Sequence, residues 1–352
     1  MASSKLSGKI QTVLGLIALG QLGATLTHEH LLIDFRCVFT QPPGGISQQK
    51  MVESPIIMEN LGWIRYHWTS NIENLKMFDQ DAAIAEAGLF KRAGGSTIVD
   101  VTNIGIGRDP RALVRIANAT GLNIVMGSGY YVAAVHPDGM DEKTEEEIAD
   151  EIVRDIVEGV DGTGVRAGII GEIGCSWPWT ENERKSVRAG VLAQKRTGAP
   201  LTIHPGRHET APLEIIAVLQ EAGADLQRTI MCHIERTMYD WRSVQEVAQS
   251  GCYVEYDLFG HESSYYPLAP STYMPSDAQR LEQIARLIAE GHLEQVLMSQ
   301  DICANHRLVK YGGHGYGHIL ESIVPRMRGY GITGEQAHTI IFDNPRRVLT
   351  FA

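Results

Sequence analysis

The chain has 352 residues, 43% hydrophobic and 21% charged, the composition of a globular enzyme with material for a large core. Its net charge of −11 argues against nucleic acid or an anionic membrane as the main partner, while leaving room for a local basic pocket. No apolar run approaches the ~20 residues that span a bilayer. The five cysteines (Cys37, Cys175, Cys232, Cys252, Cys303) are scattered and odd in number, which disfavours a disulfide framework or a thiolate zinc site and suits a reducing cytosol.

Residues 9–22 read as an extended lead-in or hairpin. The run VLGLIALG at 13–20, preceded by Lys5 and Lys9, faintly imitates a signal peptide, but it is short and broken by glycine. The first strand is TLTHEHL at 25–31. Residues 33–80 lack clean periodicity and carry Pro42, Pro43, Gly44, Gly45, Trp63 and Trp68. They read as a long insertion on one face of the fold, serving either as a binding loop or lid or as a packing or oligomer surface.

A regular rhythm follows. Helical patterns at 82–93, 109–120, 180–198, 212–222, 240–250 and 277–290, with one more opened by Thr144 and faced by Ile148, Ile152 and Ile156, alternate with apolar, β-branched runs. Thr144 with Glu147, and Thr180 with Glu183, make capping boxes. The runs at 96–101, 122–127, 165–173, 200–204, 228–233, 252–257 and 295–299 read as strands buried on both faces. Helices at 316–328 and 333–342 finish the chain. With 25–31 this gives eight strands alternating with helices, which predicts a single (β/α)8 barrel domain over 1–352 with no linker that would split it.

Catalytic groups of such a barrel belong at the C-terminal ends of its strands. Strand one ends in His28 and His30, which share one face of an extended chain. Strand four carries Glu172, strand five ends in His204, strand six in His233, and Asp301 follows strand eight. A carboxylate on an apolar strand, as at Glu172, wants a cation. The constellation suggests two divalent ions. His28, His30 and Asp301 would hold one and His204 and His233 the other, with Glu172 bridging. N/O ligation suits zinc, with manganese, cobalt or iron as alternatives. A bridging hydroxide would be the nucleophile and Asp301 the general base.

With T-L-T-H-E-H, G-I-I-G-E-I-G-C-S, I-H-P-G-R, E-Y-D-L-F-G and K-Y-G-G-H-G-Y in place, nearly the whole chain resembles the phosphotriesterase-related branch of the amidohydrolase superfamily. The resemblance implies a distorted barrel, a two-metal centre on the same six residues, and hydrolysis. It also shows departures. Glu172 stands where phosphotriesterases carry a carbamylated lysine. Leu258 and Arg236 stand where they carry a His–Asp proton relay. Tyr131 matches a tyrosine that related lactonases hold beside the metal bridge.

The expected substrate is a small molecule cut at a carboxyl carbon: an amide, ester or lactone. Arg207, Arg236, Arg307 and Lys310 would meet an anionic remainder, unless they pair with Glu209, Glu235 and Asp257. His314, in the GGHGYGH tract, is a further candidate substrate contact. The resemblance implies an acidic N-acyl amide of an amino-sulfonate. The alternatives are phosphotriester hydrolysis and an inert binding protein of the same fold; homodimerisation is left open.

Overall fold

The computed structural model describes residues 6–42 and 44–352. Eight parallel strands form one sheet in sequence order: β1 (Thr25–Glu29), β2 (Thr97–Asp100), β3 (Asn123–Ser128), β4 (Ile169–Gly174), β5 (Leu201–His204), β6 (Thr229–Met231), β7 (Tyr253–Tyr256) and β8 (Val296–Met298). Each pairs in parallel with its sequence neighbours, from β1–β2 through β7–β8. The seam between β8 and β1 closes through other atoms. The Ser299 hydroxyl accepts the His28 N–H at 3.0 Å, and the Asp301 N–H donates to the His28 carbonyl at 3.3 Å. The barrel therefore closes at the point where two of the expected ligands meet.

The strands bury both faces, as their unbroken apolar character requires. Val99, Val125, Ile169, Ile230 and Leu297 pack together inside the barrel. Their neighbours Ile98, Ile124, Ile170, Met231 and Val296 point to the helical layer. Each such side chain contributes about 1.5–3 kcal/mol by leaving water. The inner cluster continues into Ile10, Leu22, Val348 and Leu349 at the end of the barrel away from the candidate ligands. The lead-in there is a hairpin of Ile10–Thr12 with Gly15–Ile17, tied to the C-terminus by the Phe351 N–H on the Lys9 carbonyl.

The helices start and stop where local chemistry dictates. Asp79 accepts from the Asp81 and Ala82 N–H groups to cap α1 (Gln80–Arg92). Asp109 caps α2 (Pro110–Thr120), which begins on proline and ends at Gly121 with φ 67°. Both expected capping boxes form, on α3 (Glu145–Val157) and α4 (Glu181–Thr197). α5 (Ala211–Ala222), α6 (Trp241–Gln249) and α7 (Asp277–Ala289) follow β5, β6 and β7.

Several boundaries differ from expectation by a few residues: β1 stops at Glu29 and β6 at Met231, so His30 and His233 follow their strands rather than end them. Two differences are larger. β4 begins at Ile169 rather than 165, because the Ala167 N–H donates to the Asp155 carbonyl on α3 instead of to a strand. The last helical stretch runs on to Leu349. A widened turn at Thr339–Asp343 accommodates Pro345, which has no N–H to give.

The stretch 33–80 packs over the ligand-bearing rim. Ile33–Asp34 pairs antiparallel with Lys76–Met77, and a helix spans Met58–Tyr66 between them. The loop after β8 grips it. Asn305 Nδ2 donates to the carbonyls of Glu73 and Lys76, and the His306 N–H donates to Asn74 Oδ1 at 2.8 Å. No helix among the described residues is long and apolar enough to cross a membrane.

Candidate metal centre and cavity

The six residues expected as ligands converge at the C-terminal rim. Glu172 sits in the middle. Its Oε1 lies 3.4 Å from His30 Nε2; its Oε2 lies 2.8 Å from His204 Nδ1 and 3.5 Å from both His28 Nε2 and His233 Nε2. Asp301 Oδ1 lies 3.4 Å from His30 Nε2 and 3.9 Å from His28 Nε2. Donor atoms about 2.1 Å from one tetrahedral ion lie roughly 3.4 Å apart, so most of these gaps suit shared ions better than direct hydrogen bonds. Both ring nitrogens of His28 are sealed from water with no hydrogen-bond partner. His28, His30 and Asp301 form one group whose ligand atoms lie within 4.8 Å of one another, and His28, Glu172 and His233 form another. The donor set fits divalent cations.

The electrostatics agree. Burial alone would raise the Glu172 carboxyl, but the His28 and His204 imidazoles beside it hold it well below the usual carboxylate range. Burial would likewise raise Asp301, and the His30 bond with the His233 and His28 rings outweighs it. Burial lowers His30, but Asp301 and Glu172 together push it up to about 9. Acids and imidazoles crowded this closely hold protons between them when no cation takes their place.

Residues behind these donors fix their directions. Asp257 takes both the His233 ring Nδ1 at 2.7 Å and the His233 N–H at 3.0 Å. Glu255, two residues earlier on β7 and on the same inward face, has one oxygen 3.5 Å from His28 Nδ1. Thr102 Oγ1 meets His30 Nδ1 at 2.9 Å. Glu29 accepts from Ser299 Oγ and from the N–H groups of Gln300 and Ile302, the two neighbours of Asp301. Asp301 (φ 45°) and His233 (φ 55°) lie in the left-handed region, unusual for such residues, and these carboxylates hold them there. Sequence reading missed Glu29 and Glu255 and weighed Asp257 only as an alternative partner for arginine. The i, i+2 spacing of Glu255 and Asp257 on a strand is the signal that exposes them, the same one that singles out His28 and His30.

Above the cluster lies a small, tightly walled cavity. Tyr131, Arg207, Arg236 and Arg307 line it, as expected. The Tyr131 hydroxyl lies 3.4 Å from His204 Nε2. Burial and then Glu172 raise its pKa well above the ordinary phenol value, so it stays a donor. Arg207 donates to the Tyr266 hydroxyl, Arg236 to Thr237 and the Pro205 carbonyl, and Arg307 to the Asp301 carbonyl and His261 Nδ1. The acids that could have neutralised them are engaged elsewhere. Glu235 pairs with Arg280 at 3.1 Å, Asp257 with His233, and Glu209 with the N–H groups of Tyr239 and Asp240.

Two expected contacts fall outside this cavity. Lys310 is exposed and paired with Asp79 at 2.9 Å. His314 lines a neighbouring surface cavity with His306 and Gly312, because the loop after β8 lays its imidazole against Gly260. Leu258 and Arg236, the positions of the absent proton relay, both line the cavity. Trp68 and His261, which sequence reading did not single out as site residues, line it as well.

The phosphotriesterase family model matches residues 8–349. N-acetyltaurine hydrolase of Bos taurus is 47% identical over 349 residues, 99% of each chain. A resiniferatoxin-binding protein from Rhodobacter sphaeroides superposes with a TM-score of 0.93 at 39% identity, over 97% of this chain and 95% of that one. The phosphotriesterase homology protein of Escherichia coli, with phosphate in its active site, gives 0.75 at 26% identity over 94% and 99%. The chain belongs to the phosphotriesterase family and is a hydrolase with its fold.

Proposed function

We propose that this protein hydrolyses acidic N-acyl amides, with an amino-sulfonate such as taurine as the released amine. The observation that carries this reading is the set of three cavity arginines that form no salt bridge with a carboxylate, beside a cluster of histidines and acids able to hold metal. Buried cations without counter-ions are costly, and an anionic substrate supplies the missing charge. The bovine relative's name points the same way.

His28, His30, Glu172, His204, His233 and Asp301 would hold two divalent ions, zinc being the first choice for this N/O donor set. Such ions polarise an acyl oxygen and lower the pKa of water when bound. The protein does the rest. The arginines anchor the acidic end and so place the amide over the cluster. Tyr131 donates to the oxygen on which charge develops at the acyl carbon. Asp301 receives the proton of the attacking water on its carboxylate and delivers it to the leaving nitrogen. Water and amide become a carboxylic acid and a free amine. Four of the five cysteines are buried and none is paired, which supports a reducing cytosolic setting.

The test is turnover of metal-loaded protein on N-acetyltaurine, a neutral N-alkylacetamide, a lactone and a phosphotriester, with metal content measured on the same sample. We expect roughly two equivalents of metal, a clear preference for the acidic amide and loss of activity on chelation. A preference for the phosphotriester or the lactone, or activity that survives chelation, sinks the reading. Asp301 grouped with His28 and His30, and Glu172 with His28 and His233, weigh against an inert binding protein.

A further inference from the structure

Two residues that line the cavity, Trp68 and Arg307, each carry a buried N–H for which the protein supplies no acceptor. Trp68, from the stretch 33–80, is 3% exposed and lines the cavity. Its indole Nε1 is sealed from bulk water and has no partner. The Arg307 guanidinium lies 5.4 Å from the centroid of that indole, and its Nε is sealed and unpartnered too. His261 stands edge-on to Trp68, with centroids 6.0 Å apart and planes 88° apart. Its Nδ1 accepts from Arg307 at 2.6 Å, so the ring hydrogen sits on Nε2. Burial and then Arg307 push the His261 pKa well below the ordinary histidine value, which keeps the ring a neutral donor. A buried donor left without an acceptor costs about 1–3 kcal/mol, and this wall carries more than one.

We propose that Trp68, His261 and Arg307 form a subsite for a tetrahedral, three-oxygen anion, and that this subsite selects sulfonate over carboxylate at the acidic end of the substrate. The inference rests on the acidic-amide reading above and adds the group that is recognised. A guanidinium alone presents a planar fork, which matches the two coplanar oxygens of a carboxylate. A sulfonate has a third oxygen out of that plane. Single N–H donors from an indole and an imidazole nearly perpendicular to each other can meet it where a second fork cannot. The stretch 33–80 then contributes substrate selection through Trp68, in addition to covering the rim.

The experiment compares metal-loaded wild type, Trp68→Phe and His261→Phe on N-acetyltaurine and on its carboxylate counterpart, N-acetyl-β-alanine. Phenylalanine keeps an aromatic ring at each place and removes the donor. Loss of a hydrogen bond to a charged group should raise KM for the sulfonate substrate about 10-fold. kcat should change less than about 2-fold and KM for the carboxylate substrate less than about 3-fold. Ethanesulfonate binding, measured by calorimetry, should weaken in parallel. An equal rise in KM for both substrates, or a loss confined to kcat, overturns the subsite. If wild type cleaves neither amide, the parent reading has failed, and ethanesulfonate decides alone: weaker binding in the variants upholds the subsite, unchanged binding overturns it. Should Trp68→Phe fail to fold, His261→Phe carries the same comparison.

Discussion

Two neighbouring regions of the rim bury arginine in opposite ways. Behind β7, Arg280 is fully buried and fully answered: Glu235 at 3.1 Å, Asp277 at 2.9 Å and the His261 carbonyl at 2.8 Å. Inside the cavity, Arg236 and Arg307 are each only 3% exposed and donate to neutral acceptors rather than to a carboxylate. Burial and the nearby Arg207 push Arg236 below the ordinary arginine pKa, the sign of a cation short of counter-charge. The scaffold pairs its arginine with carboxylates, whereas the cavity holds its arginines on neutral acceptors. His261 joins the two regions, since Arg280 holds its backbone and Arg307 its ring.

The largest effect is expected where the cavity's chemistry is removed and the scaffold left alone. Asp301→Asn should lower kcat/KM by about 10²–10⁴-fold, the range of a lost general base, with the thermal midpoint little changed. Turnover within a few-fold of wild type would remove Asp301 from its assigned role. Arg280→Met should do the reverse. It leaves Glu235 and Asp277 buried without their cation and should cost about 3–5 kcal/mol of stability in denaturant titrations. A variant as stable as wild type would show that the internal pairing is not what keeps Arg280 in place.

Arg236→Met sharpens the contrast. Removing an unneutralised buried cation should leave stability within about 1 kcal/mol of wild type or raise it, while KM for an acidic amide climbs about 10-fold. Loss of stability on the scale of Arg280→Met would place Arg236 with the scaffold.

The barrel and the six converging donors were legible because both rest on local rules. Short apolar strands buried on two faces, punctuated by capped helices, admit few folds. Histidines and acids at strand ends then have one rim to occupy. The residues behind them were harder to see. Glu255 and Asp257 sit on an inward strand face, but partners from strands one and six identify them only once the barrel closes. Trp68 lies in a stretch without periodicity, and its place over the cavity depends on Asn305 and His306 reaching back from the loop after β8. His314 misled because a run of glycine and histidine resembles a metal tract, while the turn that carries it points elsewhere.

The smallest effect concerns the outer edge of the scaffold network, where Asp277 joins His318 at 2.8 Å, Arg280 and the Gly260 N–H. Burial would raise its carboxyl; the His318 bond and Arg280 outweigh this, so its folded pKa lies below the ordinary value. A depressed acid contributes stability above its unfolded pKa of about 3.9 and loses it as pH falls through the lower folded value. Wild type should therefore lose stability more steeply than Asp277→Asn as pH is lowered from about 5 towards 3. At pH 7 the variant should start lower, because Arg280 has lost one of its two carboxylates. Parallel melting curves across that range would mean that the pairing of Arg280 rests on Glu235 alone. The contrast between a balanced scaffold and an unbalanced cavity would then hang on a single ion pair.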